Sequence, residues 1–174
     1  MSAVKLCMPQ NWRQLVGEAM KKIITEYYQA PSSSRSASLV LKLVEKHWRH
    51  VDQEVFHSNI HYYTVLAKTT DYLLRFLDPT IDWFLLFERI EYGAKHVDVD
   101  IAYKQDEICI IRKFILQEDE AFYSYYMNRI AAAFESERRE SSKTVAVEFC
   151  SLLTGQRQIQ AVVAQNRLKQ LKTK

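Results

Sequence analysis

Glycine and proline are scarce in this sequence, with three of each among 174 residues. Together they make up about 3% of the chain, against about 12% in average proteins. β-Sandwiches and barrels need both residues in many tight turns, and doubly wound sheets need glycine in the turns that face phosphates. The scarcity argues against these classes and leaves a mostly helical chain as the expectation.

The positions of the glycines exclude several kinds of site. Gly17, Gly93 and Gly155 lie far apart, whereas a Walker loop, a dinucleotide fingerprint or a GxSxG nucleophile elbow each needs two glycines within about six residues. We see no other recognisable set of nucleophile and base, so we predict a protein that is not an enzyme.

Cysteines and long apolar runs are also few. Cys7, Cys109 and Cys150 are odd in number, widely spaced and form no CxxC pair, which predicts reduced thiols in a cytoplasmic or nuclear protein. The purely apolar run at 83–87 is far shorter than a membrane span. We therefore predict no membrane partner.

Apolar spacing predicts a compact all-α bundle of about six to eight helices. Spacings of three and four residues mark a first helix over 11–29 and one long helix or two over 38–77. The segment 79–92 is apolar on most sides, so we expect a core helix there that ends at Gly93. Apolar residues alternate over 97–103 as in a strand, but a lone strand has no partner, which favours an extended loop.

Further helices are expected over 106–116, 118–139, 142–153 and 157–172. The bundle divides near 93–100 into two helical halves. The N-terminal half, 1–96, contains the core helix 79–92, and the C-terminal half, 97–174, contains a basic last helix.

Histidines form the one pattern that suggests a metal. His47, His50, Glu54, His57 and His61 recur at spacings that place them on one stripe of a helix. Metal sites in helical bundles draw their ligands from several facing helices, and a single further histidine is available elsewhere in the chain. We interpret the stripe as the polar flank of a buried seam and predict no metal and no cofactor.

Positive charge is concentrated in the last quarter of the chain. Residues 138–174 contain eight lysines and arginines against two glutamates, while the whole chain has a formal net charge of only +3. Lysine and arginine neutralise phosphates without reading sequence. The residues that we predict to bind nucleic acid are Arg138, Arg139, Lys143, Arg157, Arg167, Lys169 and Lys172.

These features lead to two hypotheses about function. The first is a helical RNA-binding protein that makes sequence-independent phosphate contacts. In size, charge and expected helical content the chain resembles the compact helical RNA-binding factors of some viruses, including plant-virus silencing suppressors, although no motif carries this likeness. The alternative is a helical adaptor that binds another protein and no nucleic acid. Ten tyrosines also favour a subunit interface, so we expect a homo-oligomer.

Overall fold

A computed structural model describes residues 11–137 and 144–162, which form four α-helices and a five-stranded mixed sheet. The predicted all-α bundle of six to eight helices is therefore wrong, and the fold is of the α/β kind. The helices are α1 (Trp12–Gln29), α2 (Ala37–Trp48), α3 (Asn59–Phe76) and α4 (Glu120–Glu137). The strands are β1 (Trp83–Tyr92), β2 (Lys95–Gln105), β3 (Ile108–Ile115), β4 (Thr144–Ser151) and β5 (Arg157–Val162). None of the helices among the described residues is long and apolar enough to cross a membrane.

The chain divides into two compact units, Met1–Pro79 and Thr80–Lys174. The described part of the first unit contains α1, α2 and α3. The predicted first helix is confirmed, since α1 buries one stripe of apolar side chains at helical spacing and is capped by Asn11, whose Oδ1 accepts the Arg13 amide at 3.0 Å.

The region 38–77 forms two helices, each with its own serine cap. Ser36 Oγ accepts the Leu39 amide at 3.3 Å at the start of α2, and Ser58 Oγ accepts the His61 amide at 3.1 Å at the start of α3. A stretch with one short 3₁₀ turn, Gln53–Val55, separates the two helices. The predicted histidine stripe is therefore interrupted.

The second unit contains the sheet, in the strand order β1-β2-β3-β4-β5. Neighbouring strands are antiparallel except β3 and β4, which are parallel because α4 crosses over between them. One face of the sheet packs on the apolar side of α4, and the rings of Tyr123 and Tyr126 contact that of Phe149. Helix α4 confirms the main part of the helix predicted over 118–139.

The remaining segments that the sequence predicts to be helical contain strands of the sheet. The expected core helix over 79–92 is mainly strand β1, because a short apolar run fits a strand as well as a helix. β1 is also not in the core, since each of its residues is partly or fully exposed. The alternating segment 97–103 is in strand β2, and it does have partners, β1 and β3. The predicted helices over 106–116 and 142–153 contain β3 and β4, and the expected basic last helix begins as strand β5.

The turn between β1 and β2 explains one of the three glycines. Tyr92 pairs with Lys95, so Gly93 and Ala94 form a two-residue hairpin loop. Gly93 has a φ of +58°, a left-handed conformation in which a Cβ meets its own backbone. The glycine predicted to end a helix instead reverses the chain between two strands.

Replacing Gly93 with alanine is expected to destabilise the sheet unit by about 1 kcal/mol. The cause is backbone strain alone, since no atom lies within 4 Å of the added Cβ. Gly93→Asn is the matched control, because asparagine tolerates this conformation better and should lose less stability. Urea denaturation measures both variants, and an alanine variant as stable as the wild type would contradict the assigned turn.

Candidate functional site: an ion cluster and a basic end of the sheet

Of the seven predicted nucleic-acid-binding residues, Arg157 alone lies within the described part of the chain. It begins β5, not a helix. The others lie outside the described residues: Arg138, Arg139, Lys143, Arg167, Lys169 and Lys172.

Arg157 is bound to a carboxylate on the neighbouring strand. Its Nε donates a hydrogen bond to Oε1 of Glu148, which is 0% exposed on β4. The register explains the contact, since Arg157 pairs with Cys150 and so lies diagonally beside Glu148 on the same face. The contact holds the Arg157 guanidinium against Glu148, and 52% of the Arg157 side chain remains exposed.

A second arginine binds the other oxygen of Glu148. Arg112 on β3 is buried and donates from Nε to Glu148 Oε2. Its Nη2 also donates to Tyr103 Oη at 3.0 Å, and that hydroxyl donates to Glu148 Oε2 at 3.3 Å. We call these four residues, Tyr103, Arg112, Glu148 and Arg157, the ion cluster. It ties together β2, β3, β4 and β5.

The electrostatics of the ion cluster are those of a structural site. Burial opposes the charge on Arg112, but the adjacent Glu148 carboxylate outweighs it and raises the arginine's pKa. Burial raises the pKa of Tyr103 to about 12 and that of the nearby Cys150 thiol to about 12. The hydroxyl and the thiol therefore stay protonated at neutral pH, and the carboxylate is fully bonded to cations. This cluster offers no activated nucleophile and no free base.

A second polar cluster lies at the junction of β2, β3 and α4. The Asp100 carboxylate accepts Lys113 Nζ at 2.5 Å and the Phe114 amide at 2.9 Å. The Lys113 ammonium is also 5.5 Å from the centre of the Tyr126 ring. Nearby, Asp98 is paired with Arg89 at 2.8 Å, which lowers the pKa of that carboxyl. Asp98 and Asp100 are each paired with a cationic side chain, so neither carboxylate is a free base.

The break between α2 and α3 divides the histidine stripe, although the rings of His57 and His61 remain stacked with their centres 5.1 Å apart. His47 is buried on α2, with Nε2 2.8 Å from Oε1 of Glu26 on α1. The ring of His61 instead packs against Trp12. Within residues 11–137 and 144–162, no group of three or more His, Cys, Asp or Glu side chains is placed to hold a metal ion.

The pairing of β4 with β5 brings the points at which two basic segments join the sheet to one end of that strand pair. Val145 pairs with Val162. The segment 138–143 joins β4 one residue before Val145, and the segment 163–174 follows Val162 directly. We call this end of the β4–β5 pair, with its two attached segments, the basic end.

The sequence matches no protein-family model and no curated protein. The chemistry of the basic end therefore has to be inferred from its own charges and geometry.

Sequence reasoning missed both Glu148 and Arg112. A usable signal was present for Glu148, because it is the one charged residue within the apolar run Val145-Ala146-Val147-Glu148-Phe149-Cys150. A charge in such a run is buried only when it is paired. Its partner could not be predicted, since Arg112 is 36 residues away in the chain.

Glu148→Gln is expected to destabilise the sheet unit by about 3–5 kcal/mol, because it leaves the buried Arg112 guanidinium without a counter-charge. The matched control is Asp98→Asn in the same unit, where the ion pair with Arg89 is exposed and its loss should cost less than about 1 kcal/mol. Urea denaturation of the three proteins checks this. Equal losses in the two variants would contradict a stabilising role for the buried cluster.

Proposed function

We propose that the protein binds RNA without sequence preference through the basic end of its sheet, and that it acts as a binding protein, not as an enzyme. The observation that carries the proposal is the pairing of Val145 with Val162. It joins two separate basic segments of the chain to neighbouring points, so their charges can act on one ligand.

The charge balance of the basic end supports this proposal. The segments 138–143 and 163–174 contain seven lysines and arginines and a single glutamate, Glu140. The last turn of α4 adds Glu135 and Glu137, so the balance remains strongly positive. Six of the seven predicted contact residues belong to these segments, and Arg157, which is bound to Glu148, is omitted from the proposed site.

The expected mechanism is phosphate neutralisation. Lysine and arginine side chains that contact phosphates release condensed counterions, and this release supplies affinity that is independent of base sequence. The likeness to compact helical viral factors does not support RNA, because the fold is of the α/β kind. RNA is proposed on the charge of the basic end alone, and DNA is the comparison ligand. Each contacted phosphate should contribute a salt dependence of about 0.7–0.9 in the slope of log affinity against log salt.

The first experiment is fluorescence anisotropy with a labelled RNA duplex, from about 50 to 200 mM salt, with single-stranded RNA and duplex DNA as competitors. A slope of roughly 3 to 5 is expected, which corresponds to several neutralised phosphates. Absence of binding at the lowest salt would contradict the proposal.

Two triple variants test whether both segments contribute. Replacing Arg138, Arg139 and Lys143 with alanine, or Arg167, Lys169 and Lys172, should each weaken binding and lower the slope by about 2 to 3. The matched control removes three exposed lysines from elsewhere in the chain, Lys42, Lys68 and Lys104, and should change the slope little. Arg157 is left intact, because its removal would disturb the ion cluster. Equal effects of all three variants would indicate a general charge effect and no defined site.

The adaptor remains the second candidate function, and an apolar surface on α3 favours it. Ile60 is 80% exposed and Tyr63 is 59% exposed, and they line a shallow groove with Ala67. Apolar contacts are not screened by salt. A protein partner captured equally well at low and high salt, and lost on Ile60→Ser, would support this candidate over RNA binding.

A further inference from the structure

Strand β5 forms one edge of the sheet. Among the described residues, β4 is its one strand neighbour. Three residues of β5 have backbone amide and carbonyl groups that point away from β4. The Ser151 amide donates to the Gln156 carbonyl at 2.9 Å, which marks these two as a hydrogen-bonded pair of the antiparallel ladder. Hydrogen-bonded pairs alternate with non-hydrogen-bonded pairs along an antiparallel ladder. Arg157, Ile159 and Ala161 are therefore in non-hydrogen-bonded pairs, and their amides and carbonyls point away from β4.

Within residues 157–162 this edge lacks the bulge, proline and lysine that commonly protect edge strands from pairing. Its register with β4 is regular from Val145 to Cys150, without a bulge. It contains no proline and no lysine, and its single charge, on Arg157, is bound to Glu148. An exposed edge of this kind is a template for another strand.

The opposite edge, β1, is different. Its register with β2 shifts between Trp83 and Leu85, and Phe87 has a φ of +50°. It also carries the exposed charge of Glu88. Bulges and charges are the usual means of blocking strand addition, so the two edges of the sheet are not equivalent.

The centre of β5 is an exposed apolar residue. Ile159 is 57% exposed, and by strand alternation its side chain lies on the same face as Arg157. It pairs with Glu148 of β4. The edge thus presents an apolar side chain at the middle of three residues whose backbone amides and carbonyls point outward.

We infer that β5 pairs antiparallel with β5 of a second copy of this chain, with Ile159 on the two-fold axis. In this register Ile159 faces Ile159 of the second copy, and Arg157 faces Ala161. Each of the three outward residues both donates and accepts a hydrogen bond across the axis. No two like charges face each other, and the same residues serve on both sides, as a two-fold interface requires.

The contact is limited to one short strand pair, so we expect a reversible dimer. Sedimentation equilibrium of the full chain over about 1 to 500 μM should show a concentration-dependent shift from monomer to dimer. A wild-type protein that is monomeric over this whole range would overturn the inference.

Ile159→Lys tests the position of the axis. It places two ammonium groups against each other and introduces the edge charge that β5 lacks, so dimerisation should weaken at least about 100-fold. The matched control is Leu41→Lys on α2, where leucine is 50% exposed and the dimer should persist. Far-ultraviolet circular dichroism should be unchanged in both variants. An Ile159→Lys variant that dimerises like the wild type would overturn the inference.

A mixture of two variants separates edge pairing from general damage. Ile159→Lys and Ile159→Glu should each be monomeric alone, since like charges meet on the axis. Because residue 159 also lies opposite Glu148 on β4, urea denaturation of each variant alone checks that its sheet unit is folded before the two are mixed. Mixed in equal amounts, they should form a heterodimer, because the lysine of one copy then faces the glutamate of the other. A mixture that stays monomeric would overturn the placement of Ile159 on the axis.

Discussion

The sheet depends on a carboxylate that has no access to water. Guanidinium groups from β3 and β5 bind the two oxygens of the buried Glu148, which offsets the cost of burying a carboxylate. These contacts fix β5 against β4 and β4 against β3, and the Tyr103 hydroxyl extends the restraint to β2. Apolar packing against α4 supplies the driving force for folding, and the ion cluster links four neighbouring strands through side-chain contacts.

Both proposed surfaces follow from the position that the ion cluster gives to β5. The strand's inner side pairs with β4 through Val162, which brings the points at which the two basic segments join the sheet to one end of that strand pair. Its outer side presents Ile159 and three outward backbone residues. Arg157 contributes its backbone to the strand-pairing surface, while its side chain binds Glu148 within the sheet. The one predicted RNA-binding arginine in the described part of the chain therefore also holds in place the strand on which both surfaces depend.

The helices with clear caps and a period near 3.6 were predictable, and the strands were not. α1 has an asparagine cap and one buried stripe, so its sequence fits a helix and little else. In β1 the apolar run lacks a period, and helix and strand are equally compatible with it. In β5, apolar residues at Ile159 and Val162 happen to match helical spacing. The strand-like alternation of β2 was recognised but set aside, because its partners had already been interpreted as helices.

The basic end and the β5 edge consist of different residues, but dimerisation through the edge would affect RNA binding at the basic end. Ile159 lies at the centre of the strand pair, and in the inferred register Val162 of one copy is six residues along the strand from Val162 of the other, about 20 Å. A dimer would therefore present two basic ends to one nucleic acid, and the second end would bind at a high effective concentration. Apparent RNA affinity would then rise with dimerisation although no phosphate contact within either basic end changes. A monomeric protein can still bind RNA through one basic end, so the failure of strand pairing would leave the nucleic-acid site intact.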